Sequence, residues 1–468
     1  MAGKNTSLTR RKFLESASIA LCGVGGSHAL PLFGQKSAPS GKADFTIHIA
    51  PTSFEISKGK TLHTIGYNGQ VPGPLLRMKE GVPVTVDVFN QTDHPEIVHW
   101  HGQMISSEAD GAVEEGSPLI PAGGHHRYAF TPKPAGCRWY HSHAFSGKNL
   151  QRSLFTGQFG FVYIEPKNDS GQYDQEVFLA MHQWEPFFTA MGEDIGGAPP
   201  PPNNGLEVGY RSFSFNDKAL GHGEPIRVKE GQRVLFHLLN ASATETVNVA
   251  MGGHSFRVIA LDGNPVPSPQ TLSVLQVGPA ERVDAMVTMN SPGVWIMGTT
   301  DDDDRKHGFG VVIEYANQKG APKWTPQKDT AWDYTIFGNQ AKTTTPDGQY
   351  ELLIKKIPGG HGGFNRWTIN GKSFPKTDPL MVEAGKHYRL IFNNQSDDAH
   401  PMHLHRHSFE LTKVAGKATA GVLKDVVMVD PYKSVEVDFT SDNPGDTLLH
   451  CHQQLHMDFG FMTLVKYK

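Results

Sequence analysis

One strand-like segment occurs three times in this chain, about 150 residues apart, and it constrains the fold more than any other feature. Each copy begins beside a glycine, ends in an asparagine and alternates apolar with polar residues; the copies are 80–90, 230–240 and 384–393. Alternation with a period of two is typical of β-strands. A spacing of this length indicates repeated domains and not the short units of a solenoid.

The repeat therefore predicts an all-β fold of three antiparallel β-sandwich domains, at residues 44–166, 174–316 and 330–468. Fifty glycines and 32 prolines among 468 residues favour short strands with tight turns. The 43 basic and 47 acidic residues nearly balance, so no nucleic acid or acidic membrane is predicted as a partner. The unusual number is 24 histidines, because histidine is the commonest metal ligand.

Four His-X-His pairs lie in the two outer domains: His99 with His101, His141 with His143, His403 with His405 and His450 with His452. On a strand, residues i and i+2 project from the same face, about 6.5–7 Å apart, so each pair can offer two imidazoles to one site. The middle domain has Gly298-Thr299-Thr300 at the corresponding place, followed by the acidic run 301–304. The alignment predicts that the middle domain has no metal site and that the acidic run is a solvated loop.

Cys451 lies between His450 and His452 and should face the opposite side of its strand. There it would meet His400 and His456. Two histidines and one thiolate are the ligand set of a blue-copper electron-transfer site. A structural zinc site is the weaker alternative, because the chain has no paired Cys-X-X-Cys spacing. A disulfide between Cys137 and Cys451 is possible in principle. It is less favoured, because Cys451 is better explained as a copper ligand.

The N-terminal residues 1–43 are predicted to be an export signal and linker. Arg10 and Arg11 precede Phe13-Leu14 and a weakly apolar run, which resembles a twin-arginine signal. The run contains too many Gly and polar residues for a transmembrane helix, so no stable membrane insertion is expected. The resemblance implies export by the twin-arginine machinery to the periplasm or beyond, with cleavage after Ala29 or Ala38 left open.

These blocks together resemble a three-domain multicopper oxidase of the laccase type, over essentially the whole mature chain. The blocks are His99-Trp-His-Gly102, Trp139-Tyr-His-Ser-His143, His400-Pro-Met-His-Leu-His405 and His450-Cys-His452 with His456. The resemblance implies three cupredoxin-like Greek-key β-sandwich domains. It also implies four copper ions, dioxygen as acceptor and a small reducing substrate of the phenol or aromatic amine type, oxidised in four one-electron steps while dioxygen becomes water.

The resemblance assigns the ligands by type. The type 1 copper takes His400, Cys451 and His456; the type 2 copper takes His99 and His403; the type 3 pair takes His101, His141, His143, His405, His450 and His452. Electrons would pass from the type 1 copper through Cys451 and its flanking histidines to the other three ions.

Two carboxylates bear on proton supply. Asp110 matches a carboxylate that the family places beside the type 2 copper, although an Asp-Gly turn would give the same sequence. A second relay carboxylate follows the last type 1 histidine in some bacterial members. Here that position is Met457, so either Asp458 substitutes or the relay is absent.

The family's axial position beside the type 1 copper falls on Phe461. A phenyl ring donates no lone pair, so Phe461 predicts a type 1 centre of high potential. Met462 should point away from the copper if Phe461 faces it, and Met457 is off register.

Two rival functions share the fold. One is a cuprous-ion oxidase for copper tolerance, which usually carries a methionine-rich insert; the 14 methionines here are scattered. The other is a copper-free periplasmic scaffold, which should have lost several ligands, whereas this chain retains them all.

Overall fold

Short strands paired into six sheets make up most of the described chain, which confirms the predicted all-β class. The computed structural model describes residues 41–167, 171–190, 205–327, 332–340 and 345–468. Arg10, Arg11 and most of the predicted signal and linker lie outside these residues, and so does the proline run 199–202. From Gly41 onward the described residues form one compact unit.

The first segment forms two four-stranded sheets, in the orders β2-β1-β4-β6 and β3-β8-β7-β5. Its strands are β1 Phe45–Ser57, β2 Lys60–Tyr67, β3 Gly73–Lys79, β4 Val84–Asn90, β5 Val98–His101, β6 His125–Phe130, β7 Gly136–Ser142 and β8 Phe159–Glu165. Alternate residues of β4, namely Val84, Val86 and Val88, are buried between the two sheets. The period of two in the sequence therefore has its physical cause in a sandwich interior.

The middle segment forms a six-stranded sheet and a five-stranded sheet, β12-β9-β14-β19-β16-β17 and β13-β21-β20-β15-β18. Its strands are β9 Gln175–Trp184, β10 Phe187–Ala190, β11 Leu206–Gly209, β12 Ser212–Phe215, β13 Ile226–Val228, β14 Arg233–Asn240, β15 Val247–Met251, β16 Phe256–Leu261, β17 Asn264–Leu272, β18 Val274–Val277, β19 Arg282–Thr288, β20 Val294–Thr299 and β21 Gly310–Tyr315. The hairpin β10–β11 does not join either of these sheets.

The third segment forms a five-stranded sheet, β24-β32-β31-β26-β29, and an eight-stranded one, β10-β11-β23-β22-β25-β30-β27-β28. Its strands are β22 Gly348–His361, β23 Phe364–Ile369, β24 Leu380–Val382, β25 His387–Asn394, β26 His400–Leu404, β27 Phe409–Val414, β28 Lys417–Lys424, β29 Val426–Val429, β30 Ser434–Thr440, β31 Thr447–Cys451 and β32 Met462–Tyr467. The hairpin β10–β11, from within the predicted middle domain, thus extends a sheet of the third segment.

Helices in the described chain are short. They are α1 Ser107–Asp110, α2 Asp302–Lys306 and α3 Gln454–Asp458, with 3-10 turns at Val113–Glu115, Ser153–Phe155 and Tyr334–Phe337. Within the described residues no helix has the length and apolar character that crossing a membrane requires. Part of the predicted acidic loop forms α2, whose N-cap Asp301 accepts hydrogen bonds from two backbone amides.

The asparagine that ends each repeat has the same role in all three segments. Asn90, Asn240 and Asn394 are buried, and each side-chain amide donates to the carbonyl of a residue four or five positions later. In the third copy the equivalent residue is Asn394, one place beyond the predicted end at 393. An asparagine amide at this corner satisfies backbone carbonyls that the end of the strand leaves unpaired.

Candidate metal centre

The four His-X-His pairs lie on two pairs of antiparallel strands. In the first segment β5 pairs with β7 so that His99 is opposite His141. In the third segment β26 pairs with β31 so that His403 is opposite His450. Strand pairing within each sheet therefore brings together imidazoles that are more than 40 residues apart in the chain.

The structure gathers these histidines into one buried group, here called the eight-histidine cluster; none of its members is more than 7% exposed. It consists of His99, His101, His141, His143, His403, His405, His450 and His452. Two pairs of rings stack across the boundary between the segments. The ring centroids are 3.8 Å apart for His101 and His403, and 4.0 Å for His99 and His405.

In most of these rings one nitrogen donates a hydrogen bond to a group outside the cluster. The lone pair of the other nitrogen then faces the cluster. The Nδ1–H groups of His99, His141, His403 and His450 donate to backbone carbonyls, at 2.7–3.0 Å. The Nδ1 of His405 donates to the Asp110 carboxylate at 2.8 Å. A ring that donates through Nδ1 keeps Nε2 as an acceptor, the form in which histidine binds metals.

These acceptors then face one another. The Nε2 atoms of His405 and His450 are 3.0 Å apart, although both rings already donate through Nδ1. Burial, with neighbouring histidines adding to it, lowers the pKa of both rings well below the ordinary value, so neither carries a second proton near neutral pH. Two lone pairs at this distance repel each other, and a bound cation would relieve that repulsion.

Other ring nitrogens in the cluster have no protein partner. They are Nε2 of His99, His143 and His403 and both nitrogens of His452. A buried polar atom without a hydrogen bond costs about 1–3 kcal/mol. Overlapping groups of three histidines, such as His143, His405 and His450, place their ligand atoms within 4.8 Å of one another. The residues present thus fit metal ions of the kind that imidazole binds.

Cys451 faces the other side of β31 and forms a second site, here called the thiol site, with His400 and His456. Its Sγ lies 3.7 Å from Nδ1 of His400 and 3.6 Å from Nδ1 of His456, and all three side chains are buried. The Nε2 of His400 is taken by the hydroxyl of Ser396 at 2.8 Å, which turns Nδ1 toward the sulfur. Burial raises the pKa of the thiol well above its ordinary value, so a thiolate here requires a cation.

Phe461 packs against the thiol site. Its ring centroid is 4.9 Å from that of His400, and it is fully buried. Met457 and Met462 pack instead in a separate apolar cluster with Leu448. The structure thus places the Phe461 ring against His400, a residue of the thiol site.

Asp110 is buried between the two halves of the eight-histidine cluster. Its Oδ2 lies 3.1 Å from Nδ1 of His99 and 2.8 Å from Nδ1 of His405. Asp110 also belongs to an Asp-Gly turn, since Gly111 directly after it has a φ of 93°. A Cβ at Gly111 would come within 1.8 Å of the Val98 carbonyl oxygen, so the turn also needs glycine.

Glu115 is a site residue that sequence reasoning missed. Its Oε1 lies 3.3 Å from Nδ1 of His405 and accepts a hydrogen bond from the Leu448 amide at 2.6 Å. Burial, and then the charge of Asp110, raise the pKa of Glu115 well above its ordinary value. In sequence Glu115 belongs to an acidic stretch of a loop, and nothing local distinguishes it from a solvated residue.

Two further carboxylates adjoin the centre. Asp425 Oδ1 lies 3.0 Å from Nε2 of His101. Glu207, on the hairpin β10–β11, is partly exposed and has its Oε2 3.8 Å from Nε2 of His456. Neither residue lies within one of the four histidine motifs, so those motifs did not point to it.

Asp458 holds a loop of the first segment. Its Oδ2 accepts hydrogen bonds from the backbone amides of Ser146 and Gly147 and from the side chain of Gln454, at 2.7–3.1 Å. This loop directly follows His143. Met457 is buried in the separate apolar cluster described above.

Cys137 and Cys451 are both free thiols, so the disulfide between them does not form. Cys137 is buried close to His237, and burial raises the pKa of its thiol. In the middle segment, Ala250, Gly298 and Thr299 occupy the strand positions that His403, His450 and Cys451 occupy in the third segment.

Comparison with known proteins matches successive parts of the chain to one family. Three models described as multicopper oxidase match residues 48–169, 180–318 and 353–468. The multicopper oxidase MmcO of Mycobacterium tuberculosis is 27% identical, over 95% of this chain and 91% of its own length. Laccase-2 of Trametes versicolor is 26% identical, over 90% of this chain and 88% of its own length.

Solved structures show the same fold. A multicopper oxidase from Campylobacter jejuni, titled a metallo-oxidase, superposes with a TM-score of 0.70 at 22% identity, covering 94% of this chain and 95% of its own. The family models together span the two segments that form the metal centre and the segment between them. The chain belongs to the multicopper oxidase family.

Proposed function

We propose that this chain is a laccase-like oxidase, which couples four one-electron oxidations of a phenol or aromatic amine to the reduction of dioxygen to two waters. One observation carries the proposal. Cys451 has a candidate metal ligand on either side, and its own sulfur faces His400 and His456. Two metal sites are thus joined by a few covalent bonds.

The ligands are proposed to hold four copper ions. His400, Cys451 and His456 hold the type 1 ion; His99 and His403 hold the type 2 ion; His101, His141, His143, His405, His450 and His452 hold the type 3 pair. Bound copper would supply the one-electron redox changes and the reaction with dioxygen. The protein excludes water from the thiol site, fixes the tautomers and offers Cys451 as the electron path.

Asp110 is proposed to hand protons to the cluster. Its Oδ2 is in hydrogen-bond reach of two rings, and the neighbouring Glu115 shares the same buried space. Four protons are needed for each dioxygen that leaves as two waters. A carboxyl group beside His99 and His405 can transfer a proton and be refilled between turnovers.

Glu207 supports an organic donor. Its carboxylate is oriented by a 2.8 Å hydrogen bond from Asn365 and reaches both solvent and the edge of His456. A phenol that loses one electron also loses its hydroxyl proton, and Glu207 can accept that proton while the electron enters at His456. A donor without a proton to lose would not need the carboxylate.

The test compares two donors. Glu207→Gln should lower kcat/KM for a methoxyphenol, while oxidation of ferrocyanide, which releases no proton, should stay within about twofold of the unsubstituted protein. Equal losses with both donors would argue against proton acceptance by Glu207. Metal analysis of the unsubstituted protein should give about four copper ions per chain, and a value near zero would refute the oxidase proposal itself.

Cuprous-ion oxidation is the second candidate, since one structural relative is titled a metallo-oxidase. Oxygen uptake with Cu(I) and with a methoxyphenol, measured on the same preparation, separates the two. A kcat/KM for Cu(I) far above that for the phenol would favour the metal substrate.

We also propose export by the twin-arginine route to the periplasm or beyond, supported by the Arg10-Arg11 motif. Replacing both arginines with lysine should retain the protein in the cytoplasm, as cell fractionation would reveal. Unchanged export would contradict this signal.

A further inference from the structure

Four buried charged residues meet behind the eight-histidine cluster, and they come from all three segments. This junction network consists of Arg138 from the first segment, Asp262 and Arg282 from the middle segment and Asp425 from the third. All four are 0% exposed. The middle segment has no ligand among its described residues at the corresponding positions, yet it supplies two of these charges.

Asp425 controls the hydrogen bonding of two candidate ligands. Its Oδ1 accepts from Nε2 of His101 at 3.0 Å, and its backbone carbonyl accepts from Nδ1 of His403 at 2.7 Å. His101 therefore offers Nδ1 to the cluster, whereas His403 offers Nε2. Loss of either bond would free the ring to turn or to change tautomer.

Arg282 determines where the Asp425 carboxylate lies. Its Nη1 and Nη2 donate to the two carboxylate oxygens at 2.7 and 2.6 Å, a bidentate pair. The guanidinium is itself fixed by the carbonyls of Ala280 and Asp262, at 3.0 and 3.2 Å. Arg138 approaches the same carboxylate only to 3.5 Å.

Backbone groups lie close around the pair. Gly102, directly after His101, has a φ of 78°. A Cβ built on it would lie 2.6 Å from Asp425 Oδ2 and 2.8 Å from Arg282 Nη2. Backbone amides of Asp425 and Val426 are in turn held by the Asp262 carboxylate, at 3.2 and 3.1 Å.

We infer that Arg282 is a positioning residue through which the middle domain, by fixing the Asp425 carboxylate, fixes the orientation and tautomer of His101 in the first domain. The inference rests on the proposed assignment of His101 as a copper ligand. The middle domain thus takes part in building the cluster without contributing a ligand to it. A purely structural junction would hold the domains together and leave the copper sites unaffected.

The experiment measures copper binding and not only activity. Arg282→Gln removes the charge and one arm of the bidentate pair. Loss of a partner behind a metal ligand typically weakens metal binding about 10–100-fold. Competition with a copper chelator should show a weakening of that size for the cluster copper, with an altered electron paramagnetic resonance signal of the cluster copper. The blue colour of the Cys451 site should remain.

Tyr334→Phe is the matched control. Tyr334 donates to Glu281 at 2.6 Å, and Glu281 in turn pairs with Lys424, so the substitution perturbs the same junction without touching Asp425. It should lower the unfolding temperature and leave the chelator competition and the resonance signal unchanged. If Arg282→Gln behaves like Tyr334→Phe, the positioning role is refuted and Arg282 only joins domains.

If Arg282→Gln does not fold, Arg282→Lys is the alternative variant for the same measurement. Lysine keeps the charge but lacks the planar fork that matches a carboxylate. It should weaken the cluster copper in the same direction and by a smaller factor, and unchanged binding would refute the inference. Absence of cluster copper in the unsubstituted protein would instead refute the proposed function, which keeps the two failures distinct.

Discussion

The third and middle segments contain the same pair of strands in the same register. In the third, Met402 is opposite Cys451 and His403 is opposite His450. In the middle, Val249 is opposite Thr299 and Ala250 is opposite Gly298. The sandwich therefore forms equally well with or without candidate ligands at these positions, and the side chains alone decide whether it can hold a metal.

A second pair of equivalent residues sharpens the contrast. His254 and His407 begin the same His-Ser-Phe motif, and each ring is hydrogen-bonded to a tyrosine hydroxyl, of Tyr315 at 2.5 Å and of Tyr467 at 3.0 Å. Histidines of this kind are satisfied within the protein. Several candidate ligands differ, because Nε2 of His99, His143 and His403 is buried without a protein partner.

The largest expected effect is at the position where the two segments differ most. Cys451→Ser should abolish the blue colour and reduce oxidation of phenols below detection, because the hydroxyl is not a thiolate ligand. The absorption spectrum and oxygen uptake measure both. Thr299→Ser, at the equivalent place in the middle segment, should change neither; a blue Cys451→Ser protein would contradict the assignment.

Replacement of Asp110 should have the next largest effect. Asp110→Asn keeps the shape but removes the ionisable group, so turnover should fall about 10²–10⁴-fold. Metal analysis should still find copper in the cluster, since no ligand is lost. Asp303→Asn, on the exposed helix α2, is the control and should be neutral. Loss of copper in place of turnover would assign Asp110 a structural role.

The structural histidine of the middle segment gives a smaller effect. His254→Phe leaves the Tyr315 hydroxyl without its ring acceptor, which should cost about 1–3 kcal/mol of stability. Calorimetry should record a lower unfolding temperature, while copper content and colour stay as they were. Any loss of copper would mean that His254 also affects the metal sites and is not only structural.

The smallest change concerns the ring beside the thiol site. Phe461→Met should lower the potential of the type 1 copper, because a thioether stabilises Cu(II) relative to Cu(I). Redox titration of the blue band measures it. Met462→Leu is the control, since Met462 packs in a separate cluster. An unchanged or higher potential in Phe461→Met would show that Phe461 is not on the axial side.

The difference between the segments was already visible in the sequence. The alternation of side chains between the two faces of a strand depends only on neighbouring residues. A period of two determines which residues share a face, so His450 and His452 had to lie on one side of β31 and Cys451 on the other. The repeat likewise predicted three sandwiches and a middle one without ligands. The first conclusion needs only neighbours along the chain, and the second needs only the comparison of the three copies.

Glu115, Glu207, Asp425 and Arg282 could not be found in this way. Glu115 meets His405 across about 290 residues, and Arg282 meets Asp425 across 143. Each is a charged residue whose sequence neighbourhood is that of an ordinary loop or strand end. The sequence by itself thus determined the candidate metal ligands. Only the tertiary structure decided which carboxylates and which arginine stand behind them, because burial and pairing of charges arise when distant segments pack together.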